Sequence, residues 1–212
     1  MLLTVAWGKD GKVKYSMGAS ILIAGQVVQW LRDKINIVET AAQTEEMAES
    51  IPDNGGLFFV PAFTGLGAPH WNTGARGMMI GITAATTKEQ MARAALESMA
   101  YQTRDLLEEM ERNSGIKLKE LKVDGGASQN DFLMQFQADI LNCNVVRPKD
   151  IETTALGACY LAGLGCGIFE SEDDIKKLWE VDKVFTPKMD EETREKLYSQ
   201  WCKAVEKCKD WL

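Results

Sequence analysis

The chain has 212 residues, of which 26% are charged and 45% hydrophobic, and its formal net charge is −7. These totals are typical of a globular protein with a sizeable core and argue against disorder. The acidity and the lack of a Lys/Arg stripe argue against a nucleic-acid partner, although backbone N–H groups can still bind a phosphorylated ligand.

Membrane and secreted classes are disfavoured as well. The longest apolar runs, such as residues 21–24, are far too short to span a bilayer, and residues 1–5 lack the features of a signal peptide. The five cysteines form no C-x-x-C pair and there is a single histidine. We therefore expect reduced thiols, a cytoplasmic location and no metal centre.

The periodicity of the chain changes near residue 20. Residues 2–18 alternate around a turn at residues 8–11, which predicts a β-hairpin. Apolar residues then recur at three- and four-residue spacings from Ile23 to Val38, which predicts an amphipathic helix. A short acidic helix is expected over residues 44–50 and a buried strand over residues 57–63.

The rest of the chain alternates between strands and helices. A capping box from Thr87 to Gln90 should open the longest helix, which stops at Gly115. Strands are predicted at residues 78–82, 121–123 and 145–146, and further helices at residues 128–141, 153–164 and 190–211. This order predicts one α/β domain, residues 1–212, with a mixed sheet flanked by helices.

A strand that runs into paired glycines is the first motif that could carry chemistry. Residues 121–127 read Leu-Lys-Val-Asp-Gly-Gly-Ala and lead into the helix that Ser128 opens. Such a turn lets the backbone approach a ligand closely at a helix N-terminus. Taken alone, the pattern is more often a tight turn that binds nothing, with Asp124 as a turn-capping carboxylate.

Two further motifs leave alternatives open. Residues 153–163 predict a helix rich in small residues, whose mid-helix glycine needs compensation by close approach of other backbone, within the domain or at a domain interface. The loop at residues 63–71 has the two glycines, proline and tryptophan of an ordered functional loop. Its His70 is interpreted as packed or solvent-facing, because no Ser or Cys nucleophile pattern accompanies it.

Read in order, these segments resemble the FGGY carbohydrate kinases and, among them, the glycerol kinases. The resemblance extends from Leu2 to Trp211. It is carried by residues 59–69 (Phe-Val-Pro-Ala-Phe-Thr-Gly-Leu-Gly-Ala-Pro), by residues 75–77, 81 and 90–105, by residues 123–141 around the glycine pair, and by residues 153–163. Xylulose and gluconate kinases share the glycines but rarely the run at residues 132–141.

The resemblance implies an actin-like ATPase (ribonuclease H-like) fold. In that fold, the helix at residues 153–163 is similar to one that connects two domains. We also predict that the strand segments share one sheet, formed by residues 2–7, 12–18, 57–63, 121–124 and 144–147.

The function implied by the resemblance is that of the ATP-binding half of a glycerol kinase, which transfers the γ-phosphate of ATP to glycerol and gives sn-glycerol 3-phosphate. Family members are much longer than this chain. We therefore expect both phosphate loops, the glycerol-binding residues and the catalytic aspartate to lie outside it, in an N-terminal domain and just upstream. No catalytic residue and no metal ligand is expected within the chain, which should be inactive alone.

The nucleotide side of the family carries over residue by residue. The implied nucleotide-binding residues are Gly25 and Gln29 on the first helix, Gly126 at the glycine pair, Asn130 just after it, and Ala41, around which the chain departs from the family pattern. The implied ligands are ATP or ADP with Mg, and glycerol through the N-terminal domain. Neither nucleic acid nor a membrane is an expected partner, and self-association into a homo-oligomer is left open.

Two alternatives remain beside the glycerol kinase hypothesis. One is another FGGY sugar kinase, of the xylulose or gluconate type. The other is a free-standing, non-catalytic module that binds a nucleotide or a partner.

Overall fold

The computed structural model describes residues 2–9 and 11–212. The strands are β1 (Leu2–Lys9), β2 (Lys12–Gly18), β3 (Phe58–Val60), β4 (Met78–Ile80), β5 (Glu120–Lys122), β6 (Asn144–Pro148) and β7 (Val181–Phe185). The helices are α1 (Gln26–Asp33), α2 (Gln43–Glu49), α3 (Lys88–Ser114), α4 (Asp131–Leu141), α5 (Thr153–Gly165), α6 (Glu172–Lys176) and α7 (Glu191–Cys208). A 3-10 turn over Gly126–Gln129 precedes α4.

Two compact units are interleaved along the chain. The first contains the residues up to Leu118 together with Met189–Leu212, and the second contains Lys119–Lys188. The prediction that residues 1–212 form one family domain stays a prediction.

The predicted hairpin at the start of the first unit is confirmed. Strands β1 and β2 pair in antiparallel register from Leu2 opposite Gly18 to Lys9 opposite Lys12, with an irregularity between Val5 and Trp7. The two strands form a sheet of their own.

The core of the first unit forms around β3 and the long helix α3. Phe58 of β3 lies 5.8 Å, ring centroid to ring centroid, from Tyr101 of α3. On Tyr101 stacks Trp201 of α7, at 5.2 Å and an interplanar angle of 15°. Trp201 is only 1% exposed, so this aromatic stack joins the C-terminal helix to the core.

Helix α3 has the caps that the sequence predicts. The hydroxyl of Thr87 accepts a hydrogen bond from the backbone N–H of Gln90, and the Gln90 side chain accepts one from the backbone N–H of Thr87. At the other end Gly115 adopts φ 70°, a left-handed conformation that suits glycine. The capping box and the glycine stop are both confirmed.

A buried ion pair ties the segment around α2 to α3. Glu97 is 3% exposed and accepts hydrogen bonds from Nε of Arg93 at 2.8 Å and from Nδ2 of Asn54 at 2.7 Å. Arg93 also donates through Nη1 to the carbonyl oxygens of Ala48 at 3.1 Å and Ile51 at 2.7 Å. Burial raises the pKa of the Glu97 carboxyl, and the Arg93 cation opposes that rise.

The second unit is built on a three-stranded mixed sheet in the order β5-β6-β7. Strand β5 runs parallel to β6, with Leu121 opposite Val145, and β7 runs antiparallel to β6. Helix α4 packs on this sheet, and its Phe136 and Ile140 are buried, as is Val145. The predicted mixed sheet with flanking helices, in an α/β chain, is confirmed.

The prediction that all strand segments share one sheet is wrong. Within residues 2–9 and 11–212 the strands form three sheets, β1-β2, β3-β4 and β5-β6-β7. Part of the reason is Pro61, which has no N–H to donate to a ladder and ends β3 after three residues. Ala62 and Phe63 then donate to the carbonyl oxygens of Val60 and Pro61, in local turns that do not continue the strand.

The first amphipathic helix is much shorter than its apolar spacing predicts. Helix α1 ends at Asp33, and Asn36 adopts φ 53°. The N–H of Ile37 then donates to the carbonyl oxygen of Leu31 at 2.9 Å, which folds the chain back on the helix end. Val38 is still only 5% exposed. Its apolar character therefore reflects burial of a loop and not continuation of the helix.

Candidate functional site

The five predicted nucleotide-binding residues are distributed over both units. Gly126 and Asn130 belong to the second unit, and Gly25, Gln29 and Ala41 belong to the first.

In the second unit, the glycine pair forms a tight turn between β5 and α4. Gly125 has φ 74° and ψ 174°, a conformation that is essentially restricted to glycine. Its N–H donates to the carbonyl oxygen of Ile151 at 2.9 Å. Its own carbonyl oxygen accepts from the hydroxyl of Ser128 at 2.7 Å. The first glycine is therefore required by the fold of the turn.

The second glycine, Gly126, is not required in this way. Its φ lies outside the left-handed range, and a Cβ added to it would meet no atom of the described chain within 4 Å. Gly126 is also exposed and opens the 3-10 turn. Neither backbone conformation nor packing within the described residues accounts for a glycine at this position.

Asn130 has a structural role that can be read directly. Its side-chain oxygen accepts a hydrogen bond from the N–H of Leu133 at 2.8 Å and so caps α4. Asn130 lies four residues after Gly126, at the end of the same turn. Its side-chain oxygen is therefore oriented by the helix that follows the glycine pair.

Arg147 of β6 holds the turn in place. Its Nη1 donates to the carbonyl oxygen of Ser128 and to Oδ1 of Asp131, both at 2.8 Å, and its Nε donates to Asp182 at 2.7 Å. Lys183 adds a second cation, 2.6 Å from Oδ2 of Asp131. Burial disfavours the charged form of Asp131, but the hydrogen bonds from Lys183 and Arg147 outweigh it and keep its pKa below the usual range.

Sequence reasoning missed this network, because it missed the strand that supplies half of it. Asp182 and Lys183 belong to β7, which was not predicted, and neither was α6 before it. One signal was available for α6, since Ser171 and Asp174 form a capping box of the kind recognised at α3.

The start of α5 is joined to the turn by one side-chain contact. The hydroxyl of Thr153 donates to the carboxylate of Asp124, which ends the strand segment before the glycine pair. Asp124 is exposed. This contact ties Asp124 to an element 29 residues away in sequence, and the expectation that Asp124 caps its own turn stays a prediction.

Helix α5 exposes most of its small and apolar residues. Within it Gly163 alone is buried, and a Cβ there would lie 2.6 Å from the ring of Phe169. A Cβ on Gly157 would instead meet no atom of the described chain within 4 Å. Close packing inside the unit therefore explains Gly163, whereas Gly157 and the 52% exposed Leu161 face outward.

In the first unit, two of the predicted residues lie one helical turn apart. Gly25 is the N-cap residue of α1, with φ −56°, and a Cβ on it would meet nothing in the described chain within 4 Å. Gln29 is exposed on α1 four residues later and so lies on the same helix face. Gly25 thus resembles Gly126, because no feature of the described fold demands it.

Ala41 lies on a different element of the first unit. It is exposed, and its carbonyl oxygen accepts from the hydroxyl of Thr44 at 2.6 Å, at the start of α2. This contact shapes the entry to α2.

His70 is a packed histidine and not a free base. Its Nε2 lies 3.2 Å from Oδ2 of Asp105, which is 8% exposed. Asp105 also accepts from the hydroxyl of Tyr198 at 2.7 Å and from Nε1 of Trp201 at 2.9 Å. These contacts make Asp105 the centre of a buried polar cluster that joins α3 to α7. They agree with the interpretation of His70 from the sequence.

Residues 2–9 and 11–212 contain neither a cluster of metal ligands nor a helix that could span a membrane. No three His, Cys, Asp or Glu side chains come together there as a metal site would need. Over the same residues, every helix is too short or too polar to cross a bilayer.

Comparison with known proteins places the chain in a family. The C-terminal domain model of the FGGY family of carbohydrate kinases matches residues 2–166. Over its whole length the chain is 57% identical to glycerol kinase 2 of Thermotoga maritima and 59% identical to the glycerol kinase of Thermococcus onnurineus. It spans 42% of the length of each of these two relatives.

Solved structures give the same result. A crystal structure of Plasmodium falciparum glycerol kinase with ADP matches with a TM-score of 0.88 at 37% identity, over 98% of this chain and 42% of that one. A ligand-bound xylulose kinase from Lactobacillus acidophilus matches with a TM-score of 0.79 at 28% identity, over 93% and 40% of the two chains. The chain therefore belongs to the FGGY family of carbohydrate kinases and corresponds to their C-terminal domain.

Proposed function

We propose that this chain is the ATP-binding half of a glycerol kinase, an enzyme that transfers the γ-phosphate of ATP to glycerol and gives sn-glycerol 3-phosphate. Support for glycerol over another sugar comes from identity. The chain is 37% identical to a glycerol kinase of known structure, against 28% and 29% for a xylulose and a gluconate kinase.

The observation that carries the proposal is the open glycine at position 126. Gly126 is an exposed glycine with ordinary φ, and a Cβ added to it would meet nothing in the described chain. A glycine at this position is accounted for if another molecule must lie against its backbone. The turn that holds it opens a helix, where N–H groups face outward and favour an anionic or polar ligand. An adenine nucleotide has both a flat base to lie on the backbone and phosphates to accept hydrogen bonds.

The remaining predicted residues extend this proposal. Asn130 is held by its cap on α4 at the end of the same turn. On the first unit, Gly25 leaves open space at the N-terminus of α1, and Gln29 presents an amide on the same face. Ala41 is included on the resemblance alone. We assign all five residues to nucleotide binding and none to catalysis.

The chain's share of the reaction is then positioning. Phosphoryl transfer depends on holding the nucleotide and the acceptor in line and on stabilising charge, so a nucleotide-binding half contributes binding and orientation. The base that accepts the glycerol proton belongs, in this proposal, to the other half of the enzyme. Among the described residues no three carboxylates come together at one point, so a Mg²⁺ that accompanies the nucleotide would be held mainly by the phosphates.

The test is complementation with two valine variants of this chain. The 212-residue chain is mixed with the separately expressed N-terminal part of Thermotoga maritima glycerol kinase 2, and both ADP affinity and glycerol 3-phosphate formation are measured. We expect Gly126→Val to lower ADP affinity at least about tenfold, because a side chain enters the space that the nucleotide needs. We also expect its melting temperature to match that of the wild type.

Gly165→Val is the matched control. Gly165 lies in the same unit, at the end of α5, and its Cβ would also meet nothing within 4 Å. This variant should bind ADP and complement as the wild type does. Equal ADP binding by both variants would remove the nucleotide assignment, and failure of the wild-type mixture to form glycerol 3-phosphate would count against the kinase assignment.

A further inference from the structure

The first unit has a concave pocket that is lined mainly by aromatic and sulfur-containing side chains. Its volume is about 510 Å³, which lies within the range of sites that hold small organic ligands. The lining comes from α1, from β3 and the turn after it, and from the segment that leads into β4, and it includes Trp30, Phe59, Phe63, Arg76, Met78 and Met79. None of the five residues assigned to nucleotide binding lines this pocket.

Three aromatic rings form one wall of the pocket. The ring centroid of Trp30 lies 5.7 Å from that of Phe59 and 5.2 Å from that of Phe63, and the two phenylalanine centroids are 6.0 Å apart. The Phe63 ring also lies against the backbone of Gly77, where an added Cβ would be only 2.9 Å from it. These contacts hold the wall in place without a ligand. All three ring pairs are tilted, so the wall offers both faces and edges to an aromatic guest.

Arg76 is the charged residue of the lining. Its Nη1 donates to the carbonyl oxygens of Thr73 at 2.9 Å and Ala75 at 2.6 Å, which holds the guanidinium but does not compensate its charge. Within the described part of the chain, Arg76 forms no ion pair and its Nε and Nη2 have no acceptor. Arg76 is partly buried. Because a charge that is drawn out of water needs compensation, this position calls for an anion from outside the described chain.

The two methionines complete the pocket. Met79 of β4 lies directly opposite Phe59 of β3, so the two side chains share one face of that sheet. Methionine is flexible and polarisable, and its sulfur makes favourable contacts with aromatic rings. The described lining contains no acid, base or nucleophile. The pocket is therefore suited to binding a ligand with an apolar, flat body, and not to chemistry on it.

We propose that this pocket binds a small aromatic carboxylate, with its ring system on the aromatic wall and its carboxylate on Nε and Nη2 of Arg76. These two nitrogens form the edge of a guanidinium whose parallel N–H groups match both oxygens of a carboxylate. The rings and the methionines supply the apolar contacts. This inference goes beyond the proposed function and does not rest on it, because it concerns a second ligand on residues that the nucleotide assignment does not use.

The experiment titrates the full 212-residue chain with naphthoate and with its neutral analogue naphthalenemethanol. Binding is followed by NMR of the tryptophan indole N–H groups, and the Trp30 signal is assigned by its loss in Trp30→Phe. We expect naphthoate to shift the Trp30 signal. We also expect it to bind at least about tenfold more tightly than the alcohol, because hydrogen bonds to a charged group are the stronger ones.

Two variants and one control separate charge from fold. Arg76→Met should remove the preference for naphthoate over the alcohol. Met79→Glu places a carboxylate in the pocket but keeps the carbonyl contacts of Arg76, and it should weaken naphthoate binding at least about tenfold. Met17→Glu adds the same charge at a 38% exposed methionine outside the pocket and should bind as the wild type does. Melting temperatures report folding, and Met79→Glu decides the question if Arg76→Met does not fold.

Four results would overturn the proposal. They are an unshifted Trp30 signal, equal affinity for naphthoate and the alcohol, displacement of naphthoate by ADP, and a dimer of the chain, seen by sedimentation, that Met79→Glu dissociates. Displacement by ADP would make the pocket part of the nucleotide site, and the dimer would make a second copy the occupant. Gly126→Val should bind naphthoate as the wild type does, so failure of the nucleotide assignment is distinguishable from failure of this one.

Discussion

Replacing Arg93 by methionine tests how the first unit tolerates its buried carboxylate. Arg93 donates hydrogen bonds to Glu97 on its own helix and to two carbonyl oxygens at and after the end of α2. Methionine fills similar volume but removes the cation and these donors. Glu97, at 3% exposure, then keeps Asn54 as its hydrogen-bond donor among the described residues.

We expect Arg93→Met to lower the free energy of unfolding by about 3–5 kcal/mol at pH 7, the cost of leaving a buried charge without its counterion. The cost should be smaller at lower pH. The pKa of Glu97 is already raised in the folded protein. Its carboxyl group therefore holds a proton more tightly there than in the unfolded chain, where the pKa of a glutamate is about 4.3. Stability therefore falls as the pH rises from the unfolded to the folded pKa. Loss of Arg93 moves the folded pKa still higher and widens that window.

The measurement is urea unfolding of wild type and variant at pH 5 and pH 7. The double variant Arg93→Met with Glu97→Gln is the control, since a neutral amide at position 97 should recover part of the loss and remove the additional pH dependence. An equal loss in the free energy of unfolding at both pH values, or a loss of less than about 1 kcal/mol at pH 7, would show that the Arg93 cation does not stabilise the buried Glu97 carboxylate.

Three further outcomes are expected. Gly157→Ala should stabilise the chain by about 1 kcal/mol in thermal unfolding, because the helix gains propensity and the added methyl group meets open space; destabilisation would show hidden packing at α5. Tyr198→Phe should lower the free energy of unfolding in urea by about 1–2 kcal/mol, because it removes a hydrogen-bond donor from the buried Asp105 carboxylate. Tyr15→Phe, at an exposed tyrosine, should cause no measurable loss. Equal losses in the two variants would show that the contact with Asp105 does not stabilise the chain. The chain alone should form no glycerol 3-phosphate from ATP and glycerol in a coupled assay, because acceptor positioning and the base are expected elsewhere; robust turnover would refute the division into halves.

The sequence predicts best those elements whose signals are local. Helix α3 begins at the Thr87–Gln90 capping box and ends at Gly115. Both signals depend on hydrogen bonds between residues that are close in sequence. The first helix was predicted too long because its apolar spacing continues to Val38. Burial of a folded-back loop produces the same spacing as a helix face, and only the tertiary structure separates the two.

The candidate site shows the same limit. Sequence reasoning identified the glycine pair, but it could not assign different reasons to its members. Gly125 is needed for its backbone conformation, whereas Gly126 is unexplained by its own chain. Likewise Gly157 and Gly163 look alike in the sequence, yet only Gly163 packs on a ring. Whether other atoms occupy the space beside a glycine depends on residues elsewhere in the chain, such as Phe169 for Gly163.

The interleaving of the two units has a consequence for the order in which the chain matures on the ribosome. Most of the first unit precedes the second in sequence, but Trp201 and Tyr198, which complete its core against Tyr101 and Asp105, are synthesised after the second unit. Chains emerge from the N-terminus, and domains generally fold as units. The second unit is continuous in sequence and can therefore fold before α7 is synthesised. During that time Tyr101 and Asp105 of α3 lack their partners on α7, Trp201 and Tyr198. Nascent chains arrested before α7 should accordingly present the α3 surface to chaperones, and release of the final helix should end that exposure.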